Sequence, residues 1–408
     1  MLVKTLTKAA NFVSKPREAK LKSNSMSVDG QYRKSIAIVG CGYVADYYLK
    51  TLSLHPQLQI VGVMDRISER AYKLAAYYAI PRVYSSLTEL LDDEEVDIVL
   101  NLTNPSSHYC VSQACLAAGK HVYSEKPLAM QMWQAEELVK LAQQQGLYLS
   151  SAPCSLLSET AQTIWKALRE NQIGTVRLVY AEMDDGLVHL MPYKKWVSES
   201  GTPWPYKDEF EVGCTLEHAG YYVTWLTAFF GPAQLVSAFS SCLIPDKQTD
   251  IPLDVKAPDF SVACIQFASG VVARLTCSIV APHDHSLRII GDTGILGIHD
   301  SWYYGAPVYI RRSINIRRKR LEGVWKQNYP LVKPAPYLGH KGAQRMDFCR
   351  GVADMAAAMV EKRPCRLSPE FCLHNNEIVL AIQNSLDTGS PYKLTTTFES
   401  IEPMPWAK

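Results

Sequence analysis

Apolar residues in this chain follow two rhythms. Short, mostly apolar runs lie at Ser35–Val39, Leu58–Met64, Val96–Leu102, His121–Ser124 and Leu147–Ser150. Between them, apolar positions recur every three or four residues, the spacing of one helix face. Helices are predicted after Gly42, from Asp65 through Tyr78, over Ser107–Ala118 up to Gly119, and over Gln131–Gln145 up to Gly146. Strand and helix alternating in this way call for a parallel sheet with crossover helices. Past Ser151 the rhythm changes. A helix over Ser158–Asn171 precedes strands at Val176–Met183, Ala233–Ser241, Phe260–Phe267, Val271–Val280, Leu287–Gly291 and Val308–Ile316, and helices follow over Gln344–Glu361 and Ser368–Ser385. The expected fold is α/β plus α+β. A Rossmann domain over 35–152 leads into an α+β domain over 153–408 built on a large, mainly antiparallel open sheet.

The first strand ends in Gly40-Cys-Gly42-Tyr43-Val44-Ala45. Gly40 permits a tight strand-to-helix turn, Gly42 admits a phosphate to the backbone, and Ala45 lets helix and strand approach. Tyr43 and Val44 open the helix whose free N–H groups face the anion. The second strand ends at Asp65, 23 residues after Gly42, near the spacing of an acid that grips the adenosine ribose hydroxyls. That acid favours NAD. Arg66 beside it keeps NADP possible.

Another strand ends in His121-Val-Tyr-Ser-Glu125-Lys126-Pro127, at the sheet edge where α/β proteins bind ligands. With Thr103-Asn104-Pro105 and His108, the set resembles the glucose–fructose oxidoreductase / inositol dehydrogenase / MocA (Gfo/Idh/MocA) family over about residues 35–385. The resemblance implies that Lys126 lies beside the nicotinamide and polarises the reacting oxygen. It also implies that Glu125 contacts the nicotinamide ribose and that Thr103, Asn104 and Pro105 lie beneath the nicotinamide, with His108 joining the cofactor contacts. An ammonium at the reacting carbon favours alkoxide character as hydride moves.

In that family an aspartate is followed four residues later by a histidine. Here Gly213-Cys-Thr-Leu-Glu217-His218-Ala-Gly-Tyr221 puts Glu217 and Tyr221 at those places, and some members use tyrosine there. On a helix the two share a face. Tyr221 is expected to carry the proton, with Lys126 favouring its phenolate, and His218 is the alternative carrier. Asp184, Asp185, Tyr193 and Trp204, with Trp196 and Tyr206 near by, are candidate substrate contacts, since aromatic faces stack on sugars and carboxylates bond hydroxyls. Cys154 stands near a family asparagine, so that contact is not carried over.

The 42 basic and 40 acidic residues give a net charge of +2, so neither nucleic acid nor a membrane is an expected partner. The 11 cysteines lack metal or disulfide spacing, which suggests reduced thiols and a cytoplasmic enzyme. No metal is expected, and His283-Asp284-His285 reads as solvated loop residues. The basic run Arg311, Arg312, Arg317–Arg320 reads as a solvated edge. Residues 1–34 form a basic extension, expected to be disordered or to precede a start at Met26, with an organelle-targeting helix as the alternative. The reading is an NAD(P)-dependent oxidoreductase acting on a sugar, nucleotide sugar, cyclitol or glycoside, assembled as a homodimer or homotetramer. An NAD-retaining redox-assisted glycosidase and a non-catalytic dinucleotide sensor are the alternatives.

Overall fold

The computed structural model describes residues 33–253, 255–321, 323, 326–339, 342–388 and 391–408, so most of the basic extension lies outside the described residues. Five strands, β1 (Lys34–Val39), β2 (Leu58–Met64), β3 (Ile98–Asn101), β4 (His121–Ser124) and β5 (Leu149–Ser151), form a wholly parallel sheet in the order β2-β1-β3-β4-β5. Helices α1 (Tyr43–Leu52), α2 (Ser68–Tyr78), α3 (Leu87–Asp92), α4 (His108–Ala117) and α5 (Met132–Gln145) connect them. Strand β3 is buried at all four positions, as a sheet covered on both faces requires.

The chain then enters α6 (Glu159–Arg169), capped by the Ser158 hydroxyl, which accepts a bond from the Ala161 N–H at 3.1 Å. Next come β6 (Val176–Asp184), α7 (Tyr206–Val212) and α8 (Cys214–Phe230). Strands β7 (Ala233–Ser241), β8 (Phe260–Phe267), β9 (Val272–Ser278), β10 (Leu287–Gly291), β11 (Gly294–Ile298) and β12 (Val308–Arg312) follow. A small hairpin pairs β13 (Ile314–Ile316) with β14 (Lys319–Leu321), and β15 (Gln327–Tyr329) and β16 (Tyr392–Lys393) complete the strands. The second sheet runs β15-β12-β11-β10-β6-β9-β8-β7-β16, antiparallel except where β6 meets β9. Ser261, Ala263, Ile265 and Phe267 of β8 turn inward to the core, while Cys264 and Gln266 face outward. On that outer face Ser237, Cys264, Arg274, Tyr180 and Arg288 form one row across five strands. The Arg274 and Arg288 guanidinium groups lie 4.5 and 5.2 Å from the Tyr180 ring centre.

Helices α9 (Arg350–Glu361) and α10 (Pro369–Gln383) return to the first sheet. The Cys349 thiol donates to the Tyr48 carbonyl at 3.0 Å, and the Ser150 hydroxyl donates to the Leu367 carbonyl at 2.6 Å. The two sheets therefore share their late helices and form one continuous core.

Elements that escape the apolar pattern include α7, β11 and α3. Helix α7 buries only Phe210, too little for a readable period, and is favoured by Asp208 and Glu209 in its first turn. Strand β11 is interrupted by Gly297, where an added Cβ would come within 2.5 Å of the Leu287 carbonyl oxygen. Helix α3 is short, capped by Ser86 and buries only Leu90. The predicted strand Val308–Ile316 in fact breaks at Ser313. Beyond it all three residues of β13 are exposed, so no buried face holds them to the sheet. The basic run therefore sits partly on this exposed hairpin. Among the described residues no helix is long and apolar enough to cross a membrane.

Candidate active site

Gly40 has φ +97°, and a Cβ there would lie 2.5 Å from the Leu102 carbonyl oxygen, so glycine alone fits. A Cβ at Gly42 would meet no heavy atom within 4 Å, so the backbone at the start of α1 can be approached closely. Ala45 is wholly buried against the sheet, and Tyr43 and Val44 are half-buried. Asp65 is fixed by two backbone donors: the Cys41 N–H reaches Oδ2 and the Ile67 N–H reaches Oδ1, each at 2.7 Å. Its carboxylate is thus locked beside the glycine turn. Arg66 is exposed next to it. These features fit a dinucleotide, with N–H groups at the α1 terminus for the diphosphate and a rigid acid for a ribose diol.

At the end of β3 the buried Asn101 amide organises the next loop, its Oδ1 accepting from the Thr103 hydroxyl at 2.6 Å. Asn104 reaches the other way and donates to Asp208 of α7 at 2.8 Å, linking the two sheet systems. Pro105 opens a single turn before α4. His108, expected among the cofactor contacts, is corrected here. It is fully buried, with Nδ1 2.7 Å from the Pro127 carbonyl and Nε2 2.8 Å from the Thr103 carbonyl. Burial lowers its pKa, and it braces the two loops rather than facing a ligand. Glu125 is also buried, accepting from the Tyr48 hydroxyl at 2.7 Å and from the Lys126 N–H at 3.1 Å.

Lys126 forms an ion pair with Glu217 of α8. Burial pulls the lysine pKa down, but the Glu217 and Glu209 carboxylates outweigh it and raise the value above the ordinary range. Burial raises Glu217, and the Lys126 ammonium more than reverses this, so Glu217 stays ionised. Glu209 of α7, which the sequence did not single out, goes the other way. Burial first, and then the adjacent Glu217 charge, hold it well above the usual carboxylate range. Lys126 also lines a small, largely apolar hollow with Pro153, Leu216, Gly220 and Phe371.

Tyr221 lies one turn beyond Glu217, as predicted. Its phenol is not drawn toward phenolate, however. Burial raises its pKa above the ordinary phenol value, and Lys126 does not offset this against Glu125, Glu217 and Glu209. His218 points instead toward Asp185, with Nε2 3.8 Å from Oδ2, and burial lowers its pKa. The Trp302 ring packs between these groups, 5.4 Å from Tyr221 and 6.0 Å from His218 between ring centres.

The other substrate candidates divide. Asp184 accepts from the Ser278 hydroxyl at 2.6 Å, and burial raises its pKa. Asp185 faces a group of histidines. Tyr193 is corrected: it is 3% exposed, enclosed by Trp204, Tyr206 and Phe210 at 5.2–6.0 Å, and packs as core. Trp204 is half-buried against Trp196 in the same cluster. His285, expected to be solvated, has no exposed side-chain surface, because the loop after β9 folds it under Trp302. Cys154 bonds the Asp347 carbonyl at 3.3 Å and is buried. Loop residue Ser200 donates its N–H and hydroxyl to Asp46 in the first turn of α1, at 2.8 and 2.7 Å.

Residues 34–152 match the family described as "Oxidoreductase family, NAD-binding Rossmann fold", and residues 161–297 match the "GFO/IDH/MocA C-terminal domain". A curated relative, trans-1,2-dihydrobenzene-1,2-diol dehydrogenase of Mus musculus, is 27% identical over 267 residues, which is 65% of this chain and 74% of the relative. An NAD binding oxidoreductase from Klebsiella pneumoniae superposes with TM-score 0.73 at 18% identity, covering 89% of this chain and 99% of its own. A 3-ketoreductase from Actinomadura kijaniata in complex with NADP gives TM-score 0.64 at 20% identity, with coverage of 86% and 97%. At these identities the solved structures speak for the fold alone.

Proposed function

We propose, since the chain belongs to the Gfo/Idh/MocA family of oxidoreductases with an NAD-binding Rossmann domain, that it moves a hydride to or from one hydroxyl or keto carbon of a sugar, nucleotide sugar, cyclitol or glycoside. The observation that carries this reading is the partly buried Lys126–Glu217 ion pair, with Glu217 one helical turn from Tyr221, at the carboxyl edge of the parallel sheet. Bound along Gly40–Ala45 and Asp65, a nicotinamide dinucleotide supplies or accepts the hydride. Lys126, kept charged by its acidic neighbours, holds the substrate oxygen and stabilises negative charge as it develops there. Tyr221, kept protonated by burial, gives that oxygen its proton in the reductive direction. Glu217 fixes the ammonium in place. Glu125, Thr103, Asn104 and Pro105 shape the loop edges that face the nicotinamide half.

Asp65 supports NAD over NADP, because a carboxylate held by two N–H groups accepts from a ribose diol and repels a 2′-phosphate. The outer row on the second sheet supports pairing of subunits into a homodimer or homotetramer. A panel of keto-sugars and nucleotide sugars, incubated with NADH while absorbance of the reduced cofactor is followed, tests the reading. Oxidation of NADH by the intact protein and none by Lys126→Ala is the expected result. Tight dinucleotide binding with no turnover on any member of the panel points instead to the sensor, and glycoside cleavage without net NADH change points to the glycosidase.

A further inference from the structure

The loop after β9 brings together side chains that hydride transfer does not use. Asp185 Oδ1 lies 3.5 Å from His285 Nε2 and 3.7 Å from His283 Nδ1. The candidate ligand atoms of all three residues fall within 4.8 Å of one another. His285 has no exposed side-chain surface, and neither of its ring nitrogens has a hydrogen-bond partner among the described residues. Two unpartnered nitrogens on a buried imidazole are costly unless something else occupies them. The separations are too long for N–H···O bonds, which run at about 2.7–3.2 Å. The two Asp185–histidine separations lie near those of neighbours bonded to a common tetrahedral ion, where bonds of about 2.0–2.2 Å place ligand atoms roughly 3.3–3.6 Å apart.

We propose that Asp185, His283 and His285 bind one divalent transition-metal ion of the zinc and cobalt class. Two imidazoles and one carboxylate form a nitrogen-rich set that magnesium and calcium do not favour. Three protein ligands leave a fourth position open, as in catalytic rather than structural zinc sites. The supporting shell is built in. His285 Nδ1 points at Asp300 Oδ1, 3.8 Å away, and Arg345 donates to the other Asp300 oxygen at 3.0 Å. That carboxylate stands behind the ring, where it can accept from Nδ1–H once Nε2 is given to the ion. The backbone is fastened as well, because Asp184 and Asp284 exchange N–H···O bonds at 3.0 and 2.9 Å. His283, with 54% of its side chain exposed, gives the ion a way in from solvent. The Trp302 ring centre lies 4.6 Å from that of His285, so one indole separates the ion from Tyr221.

Full-length protein stripped with a chelator and titrated with cobalt(II) tests the site, with visible ligand-field bands reporting geometry and elemental analysis counting zinc taken up in a parallel sample. One ion per chain with tetrahedral-type bands is expected. The His283→Ala plus His285→Ala variant should take up none, and Asp300→Asn should bind about 10–100-fold more weakly. Because removal of buried His285 can damage folding, His283→Ala alone, checked by circular dichroism, provides the second arm. A folded His283→Ala protein with undiminished cobalt binding overturns the site, as does an intact protein that takes up no stoichiometric ion. The readout requires neither dinucleotide nor sugar, so its outcome is separate from that of the hydride-transfer reading.

Discussion

Gly40 and Asp65 hold their places through backbone geometry, whereas Glu209, Glu217, Lys126 and Tyr221 hold their charges through one another. On the first sheet a positive φ and two N–H donors fix the nucleotide-side groups, and the contacts are nearly local in sequence. On the substrate side, the Glu209 and Glu217 carboxylates, the Lys126 ammonium and the Tyr221 phenol come from three separate segments and act on one another, so each protonation state depends on the others. A nucleotide-side residue can be replaced with a local effect. On the substrate side, removal of a charge disturbs its neighbours.

The sharpest break of this comparison is Lys126→Ala. It removes the charge that keeps Glu217 ionised, and turnover in a steady-state assay should drop to the detection limit while dinucleotide affinity by titration calorimetry stays near the original. Tyr221→Phe removes only a hydroxyl and should cost on the order of 10²–10⁴ in kcat with circular dichroism unchanged. His218→Gln should be milder than either, and a crippling His218 variant beside a near-normal Tyr221→Phe reassigns the proton carrier to His218. The pH profile carries the same test. A phenol with a raised pKa remains protonated through neutrality, so the alkaline limb of reductive kcat/KM should lie above the ordinary phenol value of 10.0, and a limb below it indicates another donor.

Asp65→Ala sharpens the other side of the comparison. Loss of charge-assisted bonds of about 1.5–3 kcal/mol should weaken NAD by roughly 10–100-fold and leave NADP little changed. Tighter NADP than NAD binding in the unaltered protein refutes the assignment. The smallest effect belongs to Glu209→Gln. Burial and the Glu217 charge favour the neutral form of Glu209, so an amide of the same shape should leave kcat within a few-fold, whereas Glu217→Gln at the ionised partner should not.

The same contrast explains what was legible in the sequence. The Gly40–Ala45 turn, Asp65 and Glu125-Lys126-Pro127 are contiguous signals whose spacing follows from the strand ends, and they indicated both the first sheet and the family. Glu217 and Tyr221 were readable because four residues make one helical turn. Glu209 was not, since its helix buries one apolar residue and its proton affinity arises only when α7 lies against α8. His108 was misjudged because a buried histidine between two carbonyls leaves no local trace. Tyr193 was misjudged because an aromatic cluster looks the same in sequence whether it lines a cleft or packs on itself. His285 read as solvated because nothing near it in sequence announces Trp302.

The outward row of β8 carries a built-in footprint. Of the eleven cysteines only Cys110 and Cys264 are exposed, and burial holds thiols such as Cys41, Cys214 and Cys277 far from their reactive form. Besides the half-buried Cys242, an alkylating reagent therefore meets one exposed handle on α4 and one at the middle of the second sheet's outer face. If subunits pair through that face, Cys110 should label at once while Cys264 labels only on dilution to monomer. Mass spectrometry of the two peptides then reports both the assembly and the surface that makes it, and equal labelling at all concentrations rules that surface out.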